Sequence, residues 1–241
     1  MKLTDAHCVV TGAARGIGLA IAEALLAAGA RVIASDVNAT ALKTAVDANG
    51  SPRLHGIAAD VSSASSLKTL AHEAERLFGP IELWINNAGL ARHRPILQYT
   101  EDEIDLMLDV NLKGTILGSQ AALRAMSPHR QGYIVNIVST ASLRGIPTET
   151  VYCAAKWGAR GFTQGLREEA AAMGIRVTAL LPGGVDTPFW RDAVQERQVT
   201  VSNFLTAHQV ADAIVALAQM DDNVVPQELV LRALNDRDFA S

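Results

Sequence analysis

The sequence predicts an α/β fold: one doubly wound, mainly parallel sheet of about seven strands with helices on both faces. Three observations predict it. Short β-branched runs alternate with longer stretches of helical period along most of the chain. Most of the strand runs are apolar throughout rather than alternating, as strands covered on both faces must be. The first strand also runs straight into a glycine-rich turn that opens a helix. Such βα alternation implies right-handed crossovers and therefore parallel neighbours.

The elements follow in order. His7–Thr11 is the first strand, and Gly18–Ala28 the helix after the glycine turn. Arg31–Ser35 and Ala39–Ala48 form the second strand–helix unit, and Leu54–Ala59 and Ser63–Phe78 the third. Leu83–Asn86 is the fourth strand. A long helix, Glu101–Met126, follows it, with Thr100 as N-cap and Glu103 at the capping-box position. Tyr133–Ser139 leads to the helix Thr150–Met173, Arg176–Leu181 is the sixth strand, and Ala207–Gln219 precedes a last strand, Glu228–Leu231. There is no internal repeat, low-complexity run or linker, so one domain is expected over residues 1–241. Only residues 185–206 break the rhythm. That stretch is long, mixed and aromatic, which suits a substrate lid.

Composition narrows the function. Apolar residues are 49% and charged residues 19%, which describes a globular chain and not a disordered one. A net charge of −4 with no basic run argues against nucleic acid. Glu23 and Arg31 interrupt the best apolar run, which argues against a membrane span. The start lacks the basic, apolar and small-residue regions of a secretory leader, so cytoplasm is the expected location. The two cysteines, Cys8 and Cys153, do not have metal-ligand spacing, and no metal is expected.

The chemistry lies in four places. Thr11-Gly12-Ala13-Ala14-Arg15-Gly16-Ile17-Gly18 sits between the first strand and first helix, where glycines let backbone approach a phosphate and the helix N-terminus favours an anion. Asp36 follows strand two. A carboxylate there accepts from both ribose hydroxyls and repels a 2′-phosphate, which favours NAD over NADP. Arg15 is the counter-signal, because a guanidinium could meet that phosphate. Asp60-Val61 follows strand three and could reach the adenine edge, or Asp60 could cap the next helix. Tyr152 and Lys156 stand four apart on a helix and so share a face, and a neighbouring cation lowers a phenol's pKa. Ser139, thirteen residues before Tyr152, could hold a carbonyl or alcohol oxygen.

Three further pieces align with these: Asn86-Asn87-Ala88-Gly89 after strand four, Asn111 mid-helix, and Pro182-Gly183-Gly184-Val185-Asp186-Thr187 after strand six. Together the motifs resemble the short-chain dehydrogenase/reductase family from Thr4 to about Thr187. The resemblance implies a Rossmann-type fold and an NAD(P)-dependent oxidoreductase acting on a CH–OH group. It implies Tyr152 as acid/base, with Lys156 depressing its pKa and holding the nicotinamide ribose. Ser139 would orient the substrate oxygen, and Asn111 would hold a water behind Lys156. Gly12, Gly16, Ile17 and Gly18 would surround the pyrophosphate. Asn87, Ala88 and Gly89 would pass beside the riboses. Pro182, Gly183, Val185 and Thr187 would complete the cofactor site, the last two at the carboxamide. Val138 stands where the family often has a second serine.

On the substrate side the candidates are Leu90, His93, Leu143, Ile146, Phe189 and Trp190, mostly apolar, which suits a small or medium alcohol or ketone. Arg92, Arg94, Arg144 and Arg191 could instead guide an anion. The family's dimer contact implies a homodimer or homotetramer through the helices Glu101–Met126 and Thr150–Met173. The competing readings are an NADPH-dependent 3-oxoacyl-(acyl carrier protein) reductase, disfavoured by Asp36, and a nucleotide-sensing protein that has kept the fold without catalysis. The second is disfavoured because the full catalytic set survives.

Overall fold

A computed structural model describes residues 1–193 and 203–235. Seven parallel strands form the sheet: β1 (His7–Thr11), β2 (Arg31–Asp36), β3 (Leu54–Ala58), β4 (Leu83–Asn86), β5 (Gly132–Ile137), β6 (Ile175–Pro182) and β9 (Glu228–Leu231). Their order is β3-β2-β1-β4-β5-β6-β9. The chain winds outward from β1 to β3 and then restarts on the other side of β1 at β4. Val9 therefore lies between Ile33 and Trp84. This reversal opens a crevice at the C-terminal ends of β1 and β4, where doubly wound sheets bind ligands.

Helices cover both faces, because β1, β4 and β6 are buried along their whole length. On one face α1 (Gly16–Ala27), α2 (Ala39–Asn49) and α8 (Ala207–Gln219) bring Ile21, Leu25, Leu42, Ile214 and Leu217 onto the sheet. On the other, α3 (Ala64–Phe78), α5 (Gly114–Met126) and α6 (Thr150–Ala171) bring Leu67, Leu70, Ala122, Met126 and Leu166.

The expected helix Glu101–Met126 is not continuous. α4 (Glu101–Leu108) passes into a π-helical turn at Asp109–Lys113 before α5 begins. The reason is local. Asn111 Nδ2 donates to Met107 O at 2.9 Å, so a side chain takes a carbonyl that the helix ladder would use. The Gly114 N–H reaches back to Asp109 O, five residues away. π-turns inside helices are frequent at functional sites. After β6 the chain adds two short pieces the periodicity does not reveal. One is a parallel pair, β7 (Val185–Asp186) with β8 (Leu205–Thr206); the other is α7 (Phe189–Ala193). The expected lid lies partly outside the described residues.

A buried polar chain holds α6 against the sheet. Trp84 Nε1 donates to Asn86 Oδ1 at 2.8 Å, and Asn86 Nδ2 donates to Asn136 Oδ1 at 2.8 Å and Ser119 Oγ at 3.0 Å. Asn136 Nδ2 donates to Thr163 Oγ1 on α6 at 2.9 Å. Fully satisfied networks of this kind fix one arrangement of the elements they join, here β4, β5, α5 and α6.

Candidate active site

A cavity of about 380 Å³ follows the crevice. Gly12, Arg15, Gly16, Ile17, Asp36, Asp60 and Val61 line one end, and Ser139, Tyr152, Lys156, Phe189 and Trp190 line the other. Asn87, Ala88, Gly89, Pro182, Gly183, Val185 and Thr187 run between them.

The glycine loop is tied down from below. Thr11 Oγ1 accepts from the backbone N–H groups of Asn87 and Ala88 at 3.0 and 3.1 Å, and Asn87 Nδ2 donates to Thr11 O and Gly12 O. Gly12 takes φ +64°, which a side chain would resist. Gly18, expected beside the pyrophosphate, does not line the cavity. Its Cα faces Gly12 O and Asn87 Nδ2, where a Cβ would come within 2.2 and 2.5 Å, so it serves close packing. α1 opens with no side-chain cap and no acidic residue in its first turn. α2, α3, α4 and α8 are all capped by side chains. The first N–H groups of α1 therefore suit a pyrophosphate, and the donor set fits a dinucleotide.

Asp36 is held at the far end by two backbone N–H groups, Ala14 on Oδ2 at 3.2 Å and Asn38 on Oδ1 at 3.0 Å. Asp60 is not the cap of α3, a place taken by Ser63. Its carboxylate accepts from the N–H and hydroxyl of Ser62 instead. The Arg15 guanidinium forms an ion pair with Asp192 on α7, which links the glycine loop to the segment over the pocket.

At the other end, Ser139 and Tyr152 both line the cavity, and the Ser139 hydroxyl acts to lower the Tyr152 pKa. Ser139 is fixed by a short 3₁₀ turn at Thr140–Ser142, its Oγ accepting from Ala141 N at 3.1 Å. Lys156 is buried, and its Nζ donates to Ile137 O at 3.1 Å and lies 5.7 Å from the centre of the Tyr152 ring. The expected depression of the Tyr152 pKa is not seen. Burial pushes the phenol above its ordinary value, only partly offset by Ser139. Burial also lowers Lys156 to about 8, which weakens it as a source of positive charge.

Asn111 lies behind the cavity wall rather than on it. Its Nδ2 donates to Leu90 O at 2.7 Å as well as to Met107 O, and its Oδ1 accepts from Leu90 N at 3.3 Å. Lys156 is nevertheless close: a Cβ on Gly89 would meet Asn111 Oδ1 at 2.9 Å and Lys156 Nζ at 3.6 Å. Leu143, expected in the pocket, packs instead on Val138, Ala179 and Leu181, because the 3₁₀ turn carries this apolar side chain toward β6. Trp190 does line the pocket, its Nε1 donating to Val185 O at 2.9 Å. The side chain of Arg191 lies outside what is described. Glu149 and Asp192 carry no signal in the sequence, and Thr11 is legible there only as the start of the glycine turn, not as its tie to Asn87 and Ala88.

The model of the short chain dehydrogenase family matches residues 6–198. This chain belongs to that family. Its members are oxidoreductases that bind NAD(P). An uncharacterized oxidoreductase of Staphylococcus aureus (strain USA300) is 33% identical over 230 residues, covering 95% of this chain and 98% of that protein. A 3-oxoacyl-[acyl-carrier-protein] reductase of Thermotoga maritima is 31% identical over 238 residues, covering 95% and 97%. The fold matches an alcohol dehydrogenase of Thermococcus sibiricus, complexed with 5-hydroxy-NADP, with TM-score 0.85 and 28% identity over 94% of this chain and 96% of that one. Among the described residues, no helix of this family member is long and apolar enough to cross a membrane.

Proposed function

We propose that this chain is an NAD(H)-dependent dehydrogenase/reductase acting on a secondary alcohol or ketone. The observation that carries the reading is the meeting of Ser139, Tyr152 and buried Lys156 at one end of a cavity whose other end holds Asp36. When bound, the dinucleotide supplies or accepts a hydride at its nicotinamide ring. Ser139 holds and polarises the substrate oxygen. Tyr152 gives that oxygen its proton in reduction and takes it back in oxidation. Lys156 positions the ribose beside Tyr152, and Asn111 holds the loop through Leu90 against it. Aromatic walls at Phe189 and Trp190 keep water from the reacting centre.

Asp36 supports NAD over NADP, because its fixed carboxylate repels a 2′-phosphate. Arg15, the cation that could offset this, is paired with Asp192. The Thermotoga relative favours the second reading, an NADPH-dependent 3-oxoacyl-(acyl carrier protein) reductase. The same reading of the chain includes a cytoplasmic homodimer or homotetramer built on α4, α5 and α6. Trp157 on α6 and Leu106 on α4, exposed at 50% and 42%, support that contact.

The test is initial rates with NADH and with NADPH over a panel of ketones, with Tyr152→Phe alongside and dinucleotide binding measured by fluorescence. Expected are faster turnover with NADH, a loss of at least ~100-fold in Tyr152→Phe, and unchanged dinucleotide affinity. Wild-type rates in Tyr152→Phe reject the mechanism. Turnover with NADPH alone moves the assignment to the acyl reductase.

A further inference from the structure

One polar group in the cavity wall has no part in that chemistry. His93, in the loop after β4, has a side chain only 6% exposed. Its backbone N–H donates to Ala193 O at 2.8 Å, which holds it against the end of α7. Its ring centre lies 6.2 Å from that of Tyr152 and 5.7 Å from that of Trp190. Nδ1 faces Glu149 Oε1 at 3.6 Å, in the turn that opens α6. Nε2 has no hydrogen-bond partner among the described residues.

Burial lowers the His93 pKa to about 4, so the ring is neutral at pH 7. A neutral imidazole carries one N–H and one lone pair. The carboxylate opposite Nδ1 draws the N–H to that side, which leaves Nε2 as an acceptor. Folded chains rarely leave a buried acceptor unmet, and such an orphan beside a reacting centre suits a ligand's donor. The two rings beside it, Tyr152 and Trp190, continue into Phe189 and Phe204 as one aromatic cluster, which suits a neutral donor better than an ion.

We propose that His93 Nε2 accepts a hydrogen bond from a second hydroxyl on the substrate, close to the reacting C–O group. The substrate class is then a hydroxyketone and its diol, rather than a simple ketone and alcohol. This rests on the dehydrogenase reading above. His93 acts as a specificity residue: it takes no proton in the reaction and sets which C–O group is presented to Tyr152.

The test compares kcat/KM for butan-2-one, 3-hydroxybutan-2-one and 4-hydroxybutan-2-one, each with the better dinucleotide, in wild type, His93→Phe and His93→Gln. Wild type is expected to prefer at least one hydroxyketone over butan-2-one by tenfold or more. In His93→Phe that ratio should fall to near one through a raised KM for the hydroxyketone. His93→Gln, which keeps an acceptor, should recover part of it. If His93→Phe fails to fold in a thermal melt, the wild-type preference and the His93→Gln ratio decide. Equal turnover of all three ketones by wild type, or a ratio that survives both substitutions, overturns the proposal alone. No turnover of any ketone with either dinucleotide overturns the dehydrogenase reading and this proposal with it.

Discussion

Tyr152 and Lys156 can be read from spacing alone, since residues four apart on a helix share a face. What they do to one another cannot. Both are buried, and burial disfavours the charged form of each: it raises the phenol and lowers the ammonium to about 8. Holding a charged ammonium at Lys156 therefore costs about 3 kcal/mol at pH 7, offset by about 1 kcal/mol from its bond to Ile137 O. In the unfolded chain Lys156 returns to its ordinary value, so between about 8 and that value the unfolded chain holds the extra proton. The stability Lys156 contributes is lowest below that window and rises with pH across it. Lys156→Met is thus expected to be about 1–2 kcal/mol more stable than wild type at pH 7, with the gap closing as pH approaches 10. Urea melts of both proteins at pH 7 and pH 9.5 measure this. A gap that does not change with pH contradicts it.

Among the elements, the seven strands of the main sheet begin and end within a residue or two of where the apolar runs place them; β1, β4 and β6, buried along their whole length, have no polar alternation to blur their ends. The π-turn at Asp109–Lys113 left no such trace. A widened turn alters helical phase by less than apolar spacing resolves, and only Asn111, a mediocre helix former, marked the place. The way α5 approaches β4 was equally hidden. Gly118 looks like a weak spot in a helix, yet a Cβ there would lie 2.0 Å from Asn86 Oδ1. Asn86 carries the polar chain through Asn136 to Thr163 on α6. Gly118→Ala should therefore destabilise the fold by about 2–3 kcal/mol, although alanine is the better helix former. Equilibrium urea unfolding measures it. A neutral or stabilising outcome would mean that α5 can shift away from the network.

At the scale of the whole molecule, strand order decides where the chemistry happens. Restarting at β4 beside β1 brings the glycine loop, the Asn87 turn and the β6 turn to one edge, so groups nearly two hundred residues apart line one cavity. The outer face matters as well. Trp157 and Leu106 stand half exposed on helices that pack together, and a second copy of the chain would bury them. Trp157→Glu should shift the protein from dimer or tetramer to monomer. Light scattering after size exclusion reads the change, and a wild type that is already monomeric rejects it.

The sequence by itself determined the sheet, its parallel sense, the glycine loop, and the Ser139, Tyr152 and Lys156 set with Asp36 at the other end. Each of these rests on local spacing, helical or strand period, or a turn that only certain residues permit. Tertiary structure alone decided the rest. It turned Leu143 and Gly18 away from the cavity, paired Arg15 with Asp192, and enclosed Tyr152 and Lys156 so fully that desolvation is the largest influence on each. It also set His93 beside Tyr152, its Nε2 without a hydrogen-bond partner among the described residues. These outcomes depend on which distant surfaces meet and on how much water their meeting removes, and neither is written in the spacing of neighbouring residues.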